Sequence, residues 1–489
     1  MDFNTPIFLA FFAVCAVLTY CMPRVAKPYF LLLASYAFYL YQPQNARLVW
    51  VLITATTLTW IGGLLLGEKS LQRFPWLKRA ILATVVGFSL LCLIRYKYYD
   101  FISQLVHQGG EAIGQDWNLP KLDLIAPLGL SYFLFQSMGY LFDVYLGRQK
   151  PVKNPVHYAL FVSFFPCIFT GPIERAPHLL PQFHHPHPFD YHRMSGGAFR
   201  MLWGYFKKMV LADGLSTFVS TIYAKPEGVA GPYLLAASLL FSYQLYLDFS
   251  GCCDIAIGAG RILGFDLMEN FRRPFSSLSY PELWRRWHIS LSSWFRDYLY
   301  IPLGGNRCSP LRQWFNSVFT FVVSGLWHGA SVGYLIWGFL NGMILWLSKT
   351  TQPLRSKLDE KNPLYRIRPL RHGIKRICVY LLFTACIVFF AADLYGGEAL
   401  AVYIGLFQGW DIPFEKLMQG FSQYGLTLST ALVGAIGIFI TDRVEATGSV
   451  ALWIRKRHFL VRWVLYYLLA LAILFFGSFG KSAFIYQNY

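Results

Sequence analysis

Charged side chains are scarce in this sequence. Asp, Glu, Lys and Arg together make up 14% of its 489 residues, whereas soluble globular domains contain about 25% of such residues. Hydrophobic residues make up 55% of the chain, and its mean hydropathy is positive. This composition excludes an ordinary soluble domain and indicates an integral membrane protein, for which the lipid bilayer is the immediate partner.

The sequence lacks any pattern typical of a metal site or a disulfide framework. None of its nine cysteines has zinc-type or framework spacing. The neighbours Cys252 and Cys253 are interpreted as small buried hydrophobic residues. The side chains of His184, His185 and His187 fall in a proline-rich stretch without a carboxylate cluster, which favours a solvated loop. We therefore expect no bound metal.

Long linkers, fixed-period repeats and low-complexity tracts are also missing. We therefore expect one membrane domain over residues 1–489. Inverted repeats, which many transporters contain, are not found, so a transporter is the less favoured alternative. The first apolar run follows Asp2 rather than a basic segment and precedes no small-residue cleavage site, so we expect it to remain as a helix.

Long apolar runs recur along the chain. They cover residues 6–22, 28–43, 47–66, 80–95, 124–146, 156–171, 209–222, 232–249, 313–347, 377–397, 428–441 and 459–479. Since a spanning helix needs roughly 20 apolar residues, we expect about 11 crossings. The stretch FFPCIFTGPIER (164–175) is broken by proline and glycine, and such backbone survives at membrane depth only inside protein or beside a cavity. The predicted fold is an all-α polytopic membrane protein with re-entrant and interfacial helices.

Basic residues give the chain a formal net charge of +18. They concentrate in short connections between apolar runs, at residues 24–27, 69–79, 355–376 and 455–462. This is the distribution of cytoplasmic loops under the positive-inside rule. It argues against nucleic-acid binding and predicts an N-terminus outside the cytoplasm.

A polar segment, residues 248–307, interrupts the apolar pattern. Ionisable groups are costly near a membrane, so they normally face a cavity, pair together or lie at the interface. Aromatic residues at spacings of three and four between Trp284 and Tyr298 predict an amphipathic helix near the headgroup plane. Such a helix either anchors the protein to lipid or turns Arg285 and Arg286 toward an anionic ligand, since guanidinium groups suit phosphate.

A histidine, His328, lies within the next apolar run. A helix that starts near Gln313 would place it roughly 22 Å into a hydrocarbon slab of about 30 Å. The ring could simply form a hydrogen bond between helices. Alternatively, Gly325 and Gly329 leave room around it for another chain or a substrate. Imidazole also suits proton transfer near neutral pH, so a buried general base is the second interpretation.

Five motifs, in one order along the chain, carry a family resemblance. They are PLGLSYFLFQSMGYLFDVYLG (127–147), FFPCIFTGPIER (164–175), YLDFSGCCDIAIGAGRILGF (246–265), WRRWHISLSSWFRDYLYIPLGGNR (284–307) and SGLWHGA (324–330). Together they resemble the bacterial branch of the membrane-bound O-acyltransferases, over a motif core of about residues 120–350. Its alginate, peptidoglycan and cellulose O-acetyltransferases are the most similar subgroup.

The resemblance implies a helical membrane fold with a polar funnel on each side, meeting near a catalytic histidine. By position in the motif that residue is His328, which would act as general base, and the second histidine of the family corresponds to His288. The acyl donor would be cytoplasmic acetyl-CoA, with Arg285 and Arg286 meeting its phosphates. No metal is implied.

The resemblance also implies partners and a location. The acceptor would be an extracytoplasmic polysaccharide, reached with an extracytoplasmic esterase-like acetyltransferase as partner, at the bacterial inner membrane. The extra apolar runs in residues 351–489 favour the alginate-type subgroup. The alternative is transfer of D-alanyl or another acyl group from a carrier protein to a cell-envelope polymer.

Overall fold

Helices form the regular structure of the chain. The computed structural model describes residues 2–185, 187–361, 367–446 and 450–479, and within those ranges there is no β-strand. The predicted all-α class is therefore confirmed. Many helices begin with proline in the first turn, which has no amide hydrogen to leave unsatisfied there. Helix α7, Pro155–Ser163, is one example. Its first residue is a proline, and the side chain of the preceding Asn154 accepts a hydrogen bond of 2.9 Å from the Val156 amide in the first turn.

One unit of the chain comprises residues 2–198 and 256–268. Its complete helices are α1 Pro6–Cys21, α2 Lys27–Leu40, α3 Pro43–Gly67, α4 Pro75–Leu93, α5 Tyr99–Ala112, α6 Leu130–Tyr145, α7 Pro155–Ser163 and α8 Ala176–His184. Helix α6 is the centre of this unit, because 14 of its 16 residues are buried. Residues 164–174 follow α7 without helical structure and are buried throughout, as expected for irregular backbone in a membrane protein.

The other unit, called the second unit here, comprises residues 199–255 and 269–479 within the described ranges. Its helices, of which α9 and α11 are shared with the first unit, are α9 Tyr191–Tyr205, α10 Asp213–Ala224, α11 Gly231–Ile262, α12 Tyr280–Arg286, α13 Ile289–Phe295, α14 Pro310–His328, α15 Val332–Thr350, α16 Gln352–Lys361, α17 Arg368–Tyr395, α18 Ala399–Gly405, α19 Phe414–Ser422, α20 Gly425–Glu445, α21 Val450–Arg455 and α22 Phe459–Phe476. The single membrane domain expected from the sequence stays a prediction, and its residues 480–489 lie outside the described ranges.

Five described helices are long and apolar enough to cross a membrane. They are Pro43–Gly67, Pro75–Ala112, Arg368–Tyr395, Gly425–Glu445 and Phe459–Phe476. A multi-pass membrane protein is thus supported, but the expected number of about 11 crossings is not confirmed. Several other apolar runs form shorter helices, such as α6, whose side chains face protein rather than lipid.

Helices α14 and α15 form a tight hairpin. The apolar run 313–347 therefore does not form one helix, because α14 ends at His328 and α15 begins at Val332. Glycines line the contact between the two helices: a Cβ at Gly325 or Gly338 would overlap a backbone carbonyl of the facing helix. At the tip, the Ser331 hydroxyl donates a hydrogen bond to Asp393 on α17. His328 is thus the last residue of the first arm.

The predicted amphipathic helix from Trp284 to Tyr298 is also broken. Helix α12 ends at Arg286 and α13 begins at Ile289, with a five-residue π-helical turn after it. Between them, His288 adopts a left-handed backbone conformation, with φ 44° and ψ 54°. Such a conformation is uncommon for a residue other than glycine and cannot continue a right-handed helix.

Candidate active site

The two histidines singled out in the sequence lie close together in the second unit. The ring centroids of His288 and His328 are 6.2 Å apart. Both side chains are buried, with exposed fractions of 1% and 4%. The sequence thus identified two side chains, 40 positions apart, that the fold brings into one site.

Aromatic rings enclose the His328 imidazole. Its centroid lies 5.0 Å from that of Trp327, 5.2 Å from that of Trp337 and 5.6 Å from that of Phe390. Each ring meets it edge-on, the arrangement that aromatic pairs prefer. Because Gly329 follows, the ring of Tyr334 packs directly over the backbone there; a Cβ at that position would overlap it. The imidazole is therefore held by rigid neighbours.

His288 has a similarly apolar environment. Its ring centroid lies 4.6 Å from that of Phe249 on α11 and 5.7 Å from that of Trp327. The residue lies outside the five helices that could span a membrane. Burial lowers the pKa of the His288 imidazole to about 3, because a charged ring would lose its hydration. At neutral pH this side chain is an uncharged hydrogen-bonding group.

A cavity of about 1320 Å³ reaches both histidines. It is larger than typical small-molecule sites of about 300–1,000 Å³. The lining comes from α12 to α17, and it includes the aromatic side chains Trp284, Trp287 and Phe321 beside the histidines. The structure therefore provides a passage to His328 that could hold an elongated molecule. The second funnel implied by the family resemblance stays a prediction.

The same cavity is rich in cations. Its described lining contains five basic side chains and one carboxylate, Asp359; the basic ones are Arg285, Arg296, Lys349, Arg355 and Lys375. We call these five residues the basic lining. Lys375 pairs with Asp359, and Arg296 pairs with Asp297 outside the lining at 2.8 Å. Among the described residues, the amine of Lys349 donates to the neutral amide oxygens of Asn306 and Gln313, at 2.6 and 3.1 Å. The lining thus has an excess of positive charge.

The two arginines predicted to bind the acyl donor differ in position. Arg285 is exposed and lines the cavity. Arg286 is not among the described lining residues; its guanidinium group pairs with Glu282 one turn back on α12, at 2.5 Å. Arg285 is placed to meet a ligand, whereas Arg286 stabilises the end of its own helix. Sequence reasoning missed Lys349, Arg355 and Lys375, which come from helices outside the polar segment.

A second set of charges lies away from this lining, around α9 to α11. We call it the buried ion cluster: Arg200, Lys207, Lys208, Asp213, Asp248, Asp254 and Glu269. Arg200 bonds Asp254 at 2.8 Å and Glu269 at 2.6 Å, and Lys208 bonds Asp213 at 2.7 Å and also pairs with Asp248. A π-helical turn, Phe206–Ala212, carries the two lysines. Every cation in the cluster has a carboxylate partner.

No metal centre is found in the part of the chain that the structure describes: no group of three or more His, Cys, Asp or Glu side chains is placed to hold an ion. The Nδ1 atom of His157 and the Nε2 atom of His184 are 3.2 Å apart, but two side chains are fewer than the three that such a group requires. Cys252 and Cys253 are both buried, and the thiol of Cys253 accepts a hydrogen bond of 3.3 Å from Asn270.

Comparison with known proteins relates the chain to one family of membrane proteins. The model of the membrane-bound O-acyltransferase family matches residues 151–392, which contain both histidines and the whole basic lining. A probable alginate O-acetylase from Pseudomonas syringae pv. tomato is 37% identical over 352 residues, which cover 71% of this chain and 66% of that protein. The matched part thus spans slightly less than two thirds of that relative.

Two further relatives are matched over more of their length. A probable alginate O-acetylase from Pseudomonas putida is 35% identical over 404 residues, covering 81% of this chain and 80% of that protein. A peptidoglycan O-acetyltransferase from Helicobacter pylori is 33% identical over 379 residues, covering 70% of this chain and 69% of that protein. These matches show that the chain belongs to the membrane-bound O-acyltransferase family.

Proposed function

We propose that the protein is a membrane O-acetyltransferase that takes an acetyl group from cytoplasmic acetyl-CoA and passes it toward an extracytoplasmic polysaccharide. The observation that carries the proposal is one cavity with cations in its lining and two buried histidines. A cavity of this kind suits a long, phosphorylated acyl donor whose reactive end must reach an imidazole.

The basic lining would bind the phosphates of the donor. Phosphate oxygens accept strong charge-assisted hydrogen bonds from guanidinium and ammonium groups. Arg285 is exposed in the lining, with no ion pair among the described residues, and Lys349 has neutral partners. The apolar and aromatic lining near the histidines would hold the less polar arm and the thioester of the donor.

His328 would act as the general base. Its imidazole takes the proton of an acceptor hydroxyl, whose oxygen then bonds to the thioester carbon. As the C–S bond breaks, the proton moves from the imidazolium to the departing sulfur, which restores neutral His328. A positioned general base typically contributes about 10² to 10⁴ in rate. The neutral His288 ring, 6.2 Å away between centroids, would orient the substrate or His328.

The acceptor and the setting follow from the relatives and the charge pattern. Relatives named for alginate and for peptidoglycan acetylation support a cell-envelope polysaccharide as acceptor. Basic connections on one side of the apolar runs support a multi-pass protein of the bacterial inner membrane with its N-terminus outside. An extracytoplasmic esterase-like protein would complete transfer to sugar hydroxyls.

The test is acetyl transfer from labelled acetyl-CoA by the purified protein in liposomes. His328→Ala should lower turnover by about 10² to 10⁴ while the protein stays folded. His107→Ala is the matched control, because that side chain is 44% exposed and does not line the cavity; its turnover should equal that of the wild type. Undiminished turnover of His328→Ala would refute the proposal.

A competition assay tests the donor. Free acetyl-CoA should support turnover, and an acyl carrier protein charged with D-alanine should neither support nor inhibit it. Turnover with the charged carrier protein alone would replace the proposed donor with the D-alanyl alternative.

A further inference from the structure

A short segment, residues 269–273, braces the backbone on both sides of His288. The Ile289 amide donates to the carbonyl oxygen of Asn270 at 2.9 Å, and the Arg272 amide donates to the carbonyl oxygen of Arg286 at 3.0 Å. His288 lies between these two bridges. The break between α12 and α13 is therefore held by hydrogen bonds to residues 14 and 19 positions earlier in the chain.

The Asn270 side chain adds further hydrogen bonds to those made by the backbone of residues 269–273. Its Oδ1 atom accepts hydrogen bonds from the Ser290 amide at 3.1 Å and from the Ser290 hydroxyl at 2.9 Å. Its Nδ2 atom donates to the Cys253 sulfur on α11 at 3.3 Å. The side chain is fully buried. With its backbone carbonyl, Asn270 thus satisfies the first two amides of α13, which would otherwise lack partners at a helix start.

The segment 269–273 is itself fixed by the buried ion cluster. Next to Asn270, the Glu269 carboxylate bonds both terminal nitrogens of Arg200, and Arg200 also bonds Asp254 on α11. A bidentate contact of this kind fixes the orientation of the carboxylate as well as its distance from the guanidinium group. Because Glu269 precedes Asn270 directly, the buried ion cluster fixes the backbone position of Asn270. A fixed Asn270 can in turn determine the conformation of the residues to which it hydrogen-bonds.

The contacts of Asn270 surround a residue in an uncommon backbone conformation, His288. His288 has positive φ, which costs free energy for a residue with a Cβ and persists only where the surroundings enforce it. This backbone conformation sets the direction in which the His288 side chain leaves the chain, and that side chain lines the cavity together with His328.

We propose that Asn270 is a positioning residue for acyl transfer, which holds His288 in its left-handed conformation and thereby sets the imidazole against His328. The inference rests on the proposed function, because it gives His288 a part in turnover. It assigns to Asn270 no contact with substrate.

The decisive experiment is a double-mutant cycle on turnover in liposomes. Asn270→Ala should lower kcat by about tenfold to a hundredfold, the range expected when a reacting group shifts by about 1 Å, with the KM for acetyl-CoA within about twofold of wild type. In a His288→Ala background, the same substitution should change the residual kcat by less than twofold, because contacts that act through one group are not additive.

Three further variants separate positioning from folding. Asn45→Ala is the matched control, since Asn45 is also fully buried and bonds Tyr39 and Leu128 in the first unit; its kcat should equal that of wild type. Asn270→Asp keeps the oxygen acceptors for Ser290 and should recover most of the lost kcat. Ser290→Ala removes the hydroxyl that donates to the Asn270 Oδ1 atom and should cost about threefold in kcat, with little added effect when combined with Asn270→Ala.

The outcomes separate the two proposals. If His328→Ala abolishes turnover but Asn270→Ala lowers kcat equally with and without His288, the positioning role is wrong and the general base stands. If His288→Ala turns over like wild type, the positioning role is wrong as well. If His328→Ala retains turnover, the proposed function itself is wrong.

Discussion

Two regions of the second unit concentrate cations, and they differ in how carboxylates match those cations. In the buried ion cluster, three cations face four carboxylates, and each cation is paired. In the basic lining, five cations share the cavity with one carboxylate. Buried charge is tolerated when it is paired, whereas an excess of one sign in an open cavity attracts ligands of the other sign. The first region therefore supports the fold, and the second is available to a substrate.

The largest expected effect is in the buried ion cluster. Lys208→Ala would leave Asp213 and Asp248, with exposed side-chain fractions of 5% and 2%, without their shared cation. Breaking a buried pair in this way costs about 3–5 kcal/mol, which we expect as strongly lowered thermal stability in detergent. The exposed Lys416 supplies the control, and Lys416→Ala should melt like wild type. Equal stability of the two variants would show that the cluster does not support the fold.

The next effect concerns the basic lining. Arg285→Ala should raise the KM for acetyl-CoA by about tenfold to a hundredfold, since a hydrogen bond to a charged group is worth about 1.5–3 kcal/mol. Thermal stability should not change. Arg307 is exposed and lies outside the described lining, so Arg307→Ala should leave the KM as it is. A normal KM for Arg285→Ala would remove this residue from the donor site.

Added salt should affect the basic lining but not the buried ion cluster, and its effect should be smaller than that of Arg285→Ala. Raising ionic strength from about 0.05 to 0.5 M shortens the screening length several-fold, so we expect the KM for acetyl-CoA to rise by about threefold. Buried pairs are screened much less, and the melting temperature should therefore hold. A KM independent of salt would indicate that the lining does not bind the donor through charge.

The smallest effect is expected for Arg286. Its partner Glu282 is one turn away on α12, and both side chains are about one quarter exposed, at 26% and 22%. Partly exposed pairs of this kind contribute up to about 1 kcal/mol, so Arg286→Ala should cost little stability and should leave the KM for acetyl-CoA within about twofold. A KM raised as much as in Arg285→Ala would place both arginines in the donor site.

The sequence predicted the helical class and the two histidines because both depend on local pattern. Apolar runs show where helices form, and the two motifs carry His288 and His328. One break has a local signal. Ser331 caps α15 by accepting a hydrogen bond of 3.3 Å from the Tyr334 amide. A serine shortly after a glycine within an apolar run is a typical helix start.

Other features of the site have no local signal. The break at His288 depends on Asn270. Lys207 and Lys208 pair with Asp254 and Asp248 on α11, which lie 40 or more positions further along the chain. The basic lining likewise gathers residues from α12 to α17. Tertiary packing decides all three, so the spacing of residues in the sequence could not predict them.

The glycine contact between α14 and α15 has a mechanical consequence. Two helices pressed together along their backbones bend less readily than either would alone, because they share one thicker cross-section. The imidazole at the tip of such a pair keeps its place without waiting for a loop to close. For the proposed base, donor and acceptor would have to come to a fixed imidazole, and the rate of turnover should depend on their arrival and departure rather than on a motion of the hairpin.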